Sequence, residues 1–210
     1  ANVDLLAGGS IMTNGTVNAL NNVIANANGD INTNGDVTAE NGKAKLNSSA
    51  GNVTTKNVKA NKDVDIDAAQ NIIANGNLTS TNANVDLKAG GSITTKGTVN
   101  AHNSVIANAN GNIITIGDVT AQTGKAALNS NTGNVNINTG NVTANKDVDI
   151  DAAQNIIANG NLTSTNANVD LKAGGKITTN STVNANNNVT ANANGDINTN
   201  GDVTAENGKA

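Results

Sequence analysis

The chain returns to the same pattern every 20 or 21 residues. Val3, Val23, Ala44, Val64, Val85, Val105, Ala126, Val148, Val169 and Val189 are equivalent positions, separated by 20 to 22 residues. Ten coils result, each following V-x-(L/I/A)-x-A-x-G-x-I-x-T-x-G-x-V-x-A. The first reads Val3, Leu5, Ala7, Ile11, Thr13, Gly15, Val17, Ala19. A unit this short cannot bury a core alone, so a fixed period of this length implies stacking.

Within each coil the apolar residues fall at every second position, in three short runs separated by Gly and Asn. Alternation of period two is the signature of a strand with one buried face. Gly and Asn tolerate the positive φ that corners require. The fold class that follows is all-β: a parallel β-helix (β-solenoid) with triangular coils of 20–21 residues, about ten rungs and no helices. Residues 1–210 form a single uncapped repeat array.

A glycine column, Gly15, Gly35, Gly76, Gly97, Gly117, Gly160 and Gly201, supports the alignment, with Asn57 and Ser181 in its place in two coils. The third coil is one residue short between Val53 and Val58, and the seventh one residue long between Val135 and Val142. Bulges are expected there, because a register slip would turn the inward face outward. Residues 60–91 and 144–175 are identical, a shift of 84, so four coils make a super-repeat. The chain starts and stops mid-phase, and Ala1 opens directly on a repeat rather than on a signal peptide, so the segment is expected to be a window onto a longer array.

Composition agrees with a narrow core. There is no Trp, Tyr, Phe, Cys or Pro, and Met12 and His102 are the sole Met and His. Ala, Val, Ile and Leu must fill the interior. Asn supplies about a fifth of the chain and Gly 22 residues. The low hydrophobicity would permit disorder, but the strict placement of Val and Ile argues for a packed structure. A net charge of −4 argues against nucleic acid, which calls for a basic stripe. No apolar run approaches the ~20 residues of a membrane span.

Stacking places like on like. Inward Thr13, Thr33, Thr55, Thr95 and Thr115 are expected to bond along the column or to backbone, and corner Asn to form amide ladders. Asp67 aligns with Lys88, Asp151 with Lys172, Lys45 with Asp65, and Lys125 with Asp147, as exposed pairs of ~1 kcal/mol at most. Asp65 above Asp86 and Asp149 above Asp170 are like-charge neighbours and should cost stability.

Sharper readings fare poorly beside these. Asp63, Asp65 and Asp67, with their repeats Asp147, Asp149 and Asp151, suggest a cation site, but a solvated outer face explains them. Gly90-Gly91 does not continue into a calcium-binding nonapeptide, and no Lys-Ser/Thr follows to make a phosphate loop. Sequons at Asn14, Asn47, Asn52, Asn77, Asn141, Asn161, Asn180 and Asn188 are about as frequent as the composition dictates. His102 has no partner for zinc or nucleophilic chemistry. An ice-binding face would need an outward T-x-T file, whereas Thr mostly shares the parity of inward Val and Ile. A β-helical lyase or hydrolase would bring aromatics and long loops. No residue is singled out as catalytic, cofactor-binding or metal-binding; no cofactor is expected, and the chain is read as a non-enzyme.

Laid out in this way, Asn84-Val85-Asp86-Leu87-Lys88-Ala89-Gly90-Gly91-Ser92-Ile93 and Gly117-Asp118-Val119-Thr120-Ala121 resemble the repeat units of filamentous-haemagglutinin-type adhesins, the large exoproteins of bacterial two-partner secretion. The resemblance spans the whole chain. It implies a right-handed helix, an extracellular or cell-surface location, and service as a long stalk. The expected partners are neighbouring coils of the same chain or copies stacked end to end, with host-cell or matrix contact through parts outside this segment. A self-assembling filament of a biofilm matrix or sheath is the alternative.

Overall fold

The computed structural model describes all residues, Ala1–Ala210, and every regular element is a strand. Each coil contributes three. In the first coil these are β1 (Val3–Ala7), β2 (Ile11–Thr13) and β3 (Val17–Ala19), and the order continues to β30 (Val203–Ala205). The strands sort into three parallel sheets of ten, each sheet taking every third strand. The first strand of a coil has five residues and the other two have three, as the template predicts. The solenoid is triangular, with ten turns.

Register follows the alignment. Val3 pairs with Val23, Val64 with Ala44 and Val85, and Val169 with Val189. Inward positions of all three sheets meet in one core of 49 buried residues, made of Ile, Leu, Val and Ala. Alternation makes this possible: strand Val64–Ala68 buries Val64, Ile66 and Ala68 and leaves Asp65 and Asp67 towards solvent.

The corners differ from expectation in three ways. No residue has a positive φ. Corner glycines serve close approach instead: a Cβ added at Gly35 would strike the backbone of Gly15 and Thr16 in the coil before. The length changes in the third and seventh coils produce no strand bulge. They are absorbed between Thr55 and Val58 and between Ile137 and Val142, while flanking strands keep their three residues. A corner lies outside the strand pairing, so it accepts the change most cheaply. Finally, since Val58 pairs with Val37 and Leu78, Lys56 rather than Asn57 occupies the glycine column, and Gly140 completes it in the seventh coil.

The inward threonines do not bond as expected either. Thr33, Thr55, Thr95, Thr115 and Thr179 are buried, yet their hydroxyls meet no hydrogen-bond partner. Equivalent atoms in stacked coils repeat at ~4.8 Å, beyond hydrogen-bond reach. Buried serines in the Ala columns of the first and third sheets solve the problem by reaching sideways. Ser48, Ser80, Ser130 and Ser164 each donate to a corner carbonyl at 2.7 Å. Each also accepts the N–H three residues onward. Serine within an otherwise alanine column was the available sequence signal for these sites.

Candidate functional site

The features that set this chain apart lie at the corners and on the outer faces. The residue before each strand stacks on its equivalent in the coil below. At the second strand this builds a ladder. The Asn52 N–H donates to Asp30 Oδ1 at 2.7 Å and the Asn71 N–H to Asn52 Oδ1 at 3.1 Å. Ser92 then donates to Asn71, Asn112 to Ser92 Oγ, Asn134 to Asn112, Asn155 to Asn134, and Lys176 to Asn155 at 2.8 Å. Amide groups run alongside, as from Asn71 Nδ2 to Asn52 Oδ1 at 3.0 Å. The other two corners repeat the scheme, through Asp63–Asn84–Ser104 and Asp36–Asn57–Asn77, for example. The expected Asn ladders are therefore present, and they tie successive coils at all three corners.

These ladders have a polarity. An Asn donates to the coil before it and accepts from the coil after it. An Asp carboxylate can only accept. Accordingly, Asp30, Asp36, Asp63, Asp118, Asp147, Asp196 and Asp202 stand above Ser10, Thr16, Lys43, Thr98, Lys125, Lys176 and Thr182, never above Asn. In every case the residue below offers no amide; Asp36, Asp63, Asp118 and Asp147 open ladder segments there, whereas Asp30 continues from Ser10 through its backbone N–H, 3.0 Å from Ser10 Oγ. Asp30 shows the electrostatic result: N–H donation from the Asn52 backbone, and then from its side chain, holds the carboxyl below its ordinary range.

The three outer faces differ. Strand residues pointing outward from the first sheet include Asp4, Lys45, Asp65, Asp67, Asp86, Lys88, Asp149, Asp151, Asp170 and Lys172; the second sheet points no charge outward, and the third only Lys59. A shallow groove of about 300 Å³ crosses the first face between Lys45, Asp65, Asp86 and Lys88. An equivalent of about 330 Å³ lies among Asp149, Asp151, Asp170 and Lys172.

Of the four ion pairs expected, Asp151 and Lys172 approach at 3.7 Å. Lys125 reaches Asp149 at 3.3 Å rather than Asp147, whose Oδ1 accepts from both N–H groups of Asn168. Asp67 with Lys88 and Asp65 with Lys45 share register without forming an ion pair. Lys176 and Asp196 add a contact at 3.0 Å. In the Asp65–Asp86 stack both carboxyls are raised, in each case mainly by burial. Desolvation first, and then the charge of Asp63, push the Asp65 carboxyl upward, with Lys43 and Lys45 opposing. Desolvation, then Asp65 and Asp63, raise Asp86.

The remaining sequence candidates find the following places. Asp63 stands at a corner, apart from outward Asp65 and Asp67, and no three acidic or His side chains converge. His102 lies in a corner, with Nδ1 3.4 Å from Gln122 Oε1. Sequon residues Asn52, Asn77, Asn141, Asn161 and Asn188 are committed to ladders. Asn14 and Asn180 belong to a second, more exposed corner column, accepting from Asn34 at 3.0 Å and Asn200 at 2.7 Å. Asn47 points outward from its strand.

The parity assigned to Thr needs correction. Thr38, Thr79, Thr120, Thr143, Thr163 and Thr204 point outward from the third sheet, between inward Val or Leu and Ala or Ser. Parity read from the Ile-x-Thr strand alone missed them. Each three-residue strand still offers only one outward side chain, so the file is one residue wide and broken by Asn18, Lys59, Asn100 and Asn184.

No protein-family model, curated protein or solved structure matches the chain.

Proposed function

We propose that this segment is a structural shaft of a large, secreted or surface-attached bacterial fibrous adhesin, holding a functional tip away from the cell. The observation that carries this reading is the continuity of three ten-stranded sheets tied by corner ladders from coil to coil. Sequence variation is spent on matching each coil to the one below it. A spacer needs that property, because its length grows by ~4.8 Å per coil without changing its cross-section. The role is mechanical rather than catalytic, and the resemblance to haemagglutinin-type repeat units supports the extracellular setting.

Electron microscopy of the purified segment tests the proposal. Discrete short rods of about 45–50 Å, ten rungs at the parallel-sheet spacing, fit a shaft segment. Filaments of constant width and unlimited length would replace this reading with that of a self-assembling matrix fibre.

A further inference from the structure

The sequence contains ten Asn-Gly pairs, at Asn14, Asn28, Asn34, Asn41, Asn75, Asn110, Asn159, Asn194, Asn200 and Asn207. Asn-Gly is the dipeptide most prone to self-conversion, because glycine leaves its nitrogen unhindered. The Gly nitrogen attacks Cγ of the preceding Asn. A new N–Cγ bond closes a five-membered succinimide, the Cγ–Nδ2 bond breaks, and the amide leaves as ammonia. Water then opens the ring at either carbonyl, giving Asp or isoaspartate. The balance is one water consumed and one ammonia released, with no redox partner.

The reaction needs a Gly N–H free to lose its proton and an Asn amide free to swing onto it. The fold supplies or withholds these site by site. Gly29, Gly111 and Gly195 donate to Gly9, Gly91 and Gly175 carbonyls at 2.8, 2.7 and 2.8 Å, which locks the nitrogens after Asn28, Asn110 and Asn194. The other seven Gly N–H groups have no protein partner. Among these seven, ladder bonds hold the amides of Asn14 with Asn34, of Asn159 and Asn200 with Asn180, and of Asn207 with Asn186, at 2.7–3.0 Å. Only Asn41 and Asn75 lack both restraints, and both are exposed at corners.

We infer that Asn41-Gly42 and Asn75-Gly76 are self-modification sites of the folded rod, converting to Asp and isoaspartate ahead of the other eight pairs. Each event adds one negative charge at a corner and, as isoaspartate, one extra backbone carbon. Asn28, Asn110 and Asn194 are the protected set.

The test is peptide mapping of the intact segment aged at mildly alkaline pH, with a urea-denatured sample aged in parallel. Conversion at Asn41 and Asn75 should exceed that at Asn28, Asn110 and Asn194 by about fivefold or more, the rate factor equivalent to one hydrogen bond of ~1 kcal/mol. The denatured sample should show similar rates at all ten. Equal rates in the folded sample would overturn the inference. So would protection of Asn41 and Asn75 over a period in which the denatured chain converts.

Discussion

Residues 60–91 and 144–175 are the same sequence placed twice in one rod. Their interiors are the same. Ser80 and Ser164 each reach a Lys carbonyl at 2.7 Å, and Asn84 and Asn168 each donate to a corner Asp at 3.1 Å. Their outer faces are not. Beneath Asp65 lies Lys45, whereas beneath Asp149 lies Ala127 and the contact comes from Lys125. Above Asp86 sits Ile106; above Asp170 sits Thr190. Core and ladder geometry thus belong to the repeat, while surface electrostatics belong to the neighbouring coils. Variation in a solenoid array is felt one coil away.

The largest expected effect tests the shared interior. Leu78→Ala and Leu162→Ala remove equivalent, fully buried side chains. Each should cost about 2–5 kcal/mol in urea unfolding. The two values should agree within about 0.5 kcal/mol, the margin to which effects at independent sites add; a larger gap would break the equivalence.

The ladder polarity is tested next. Asn71→Asp and Asn155→Asp each place an acceptor-only carboxylate against Asn52 or Asn134 Oδ1, which now accept an amide at 3.0 Å. A loss of about 1–3 kcal/mol at neutral pH is expected, with partial recovery in acid as the new carboxyl gains a proton to donate. The same stability at both pH values would remove the rule that a corner Asp does not stand above Asn.

A smaller effect separates the outer faces. Asp65 and Asp86 have folded-state pKa values raised above the unfolded ones. The folded state therefore binds more protons, so this contribution to stability is fully present below about pH 4, the ordinary Asp value, and is lost as pH rises through the raised values. Asp86→Asn should raise the melting temperature at pH 7, with the gain fading towards pH 4. A gain that persists unchanged at acid pH would contradict this origin. Asp30, held low by Asn52, runs in the opposite sense: its contribution is present above the ordinary Asp value and is lost as pH falls.

The smallest effect concerns exposed ion pairs. Lys125→Ala should cost no more than ~1 kcal/mol, and added salt should erase the difference. Lys45→Ala, which breaks no close pair, should cost less than Lys125→Ala at low salt.

Coils, strand bounds, register and core were legible in the sequence because alternation is local and the repeat supplies ten readings of each column. Val64, Ile66 and Ala68 could be placed inward from their spacing alone. The corners were less legible, because their conformation is fixed by groups 20 residues away. Gly35 reads equally well as a positive-φ residue or a close-approach residue, and only the neighbouring Gly15 backbone decides. Column alignment pairs Lys125 with Asp147, but the Asp147 carboxylate serves the Asn168 ladder and the Lys125 contact goes to Asp149. The outward Thr79 was hidden because parity was taken from the adjacent strand type.

The central claim is that equivalent residues stack in register, coil upon coil. The chain has no cysteine, so a Thr79→Cys, Thr163→Cys variant carries two unique labelling sites on the third face, four coils apart. Pulsed electron spin resonance on this pair should give a narrow distribution centred at about 19 Å, four steps of the parallel-sheet spacing. A broad distribution, or one centred far from that value, would contradict the stack.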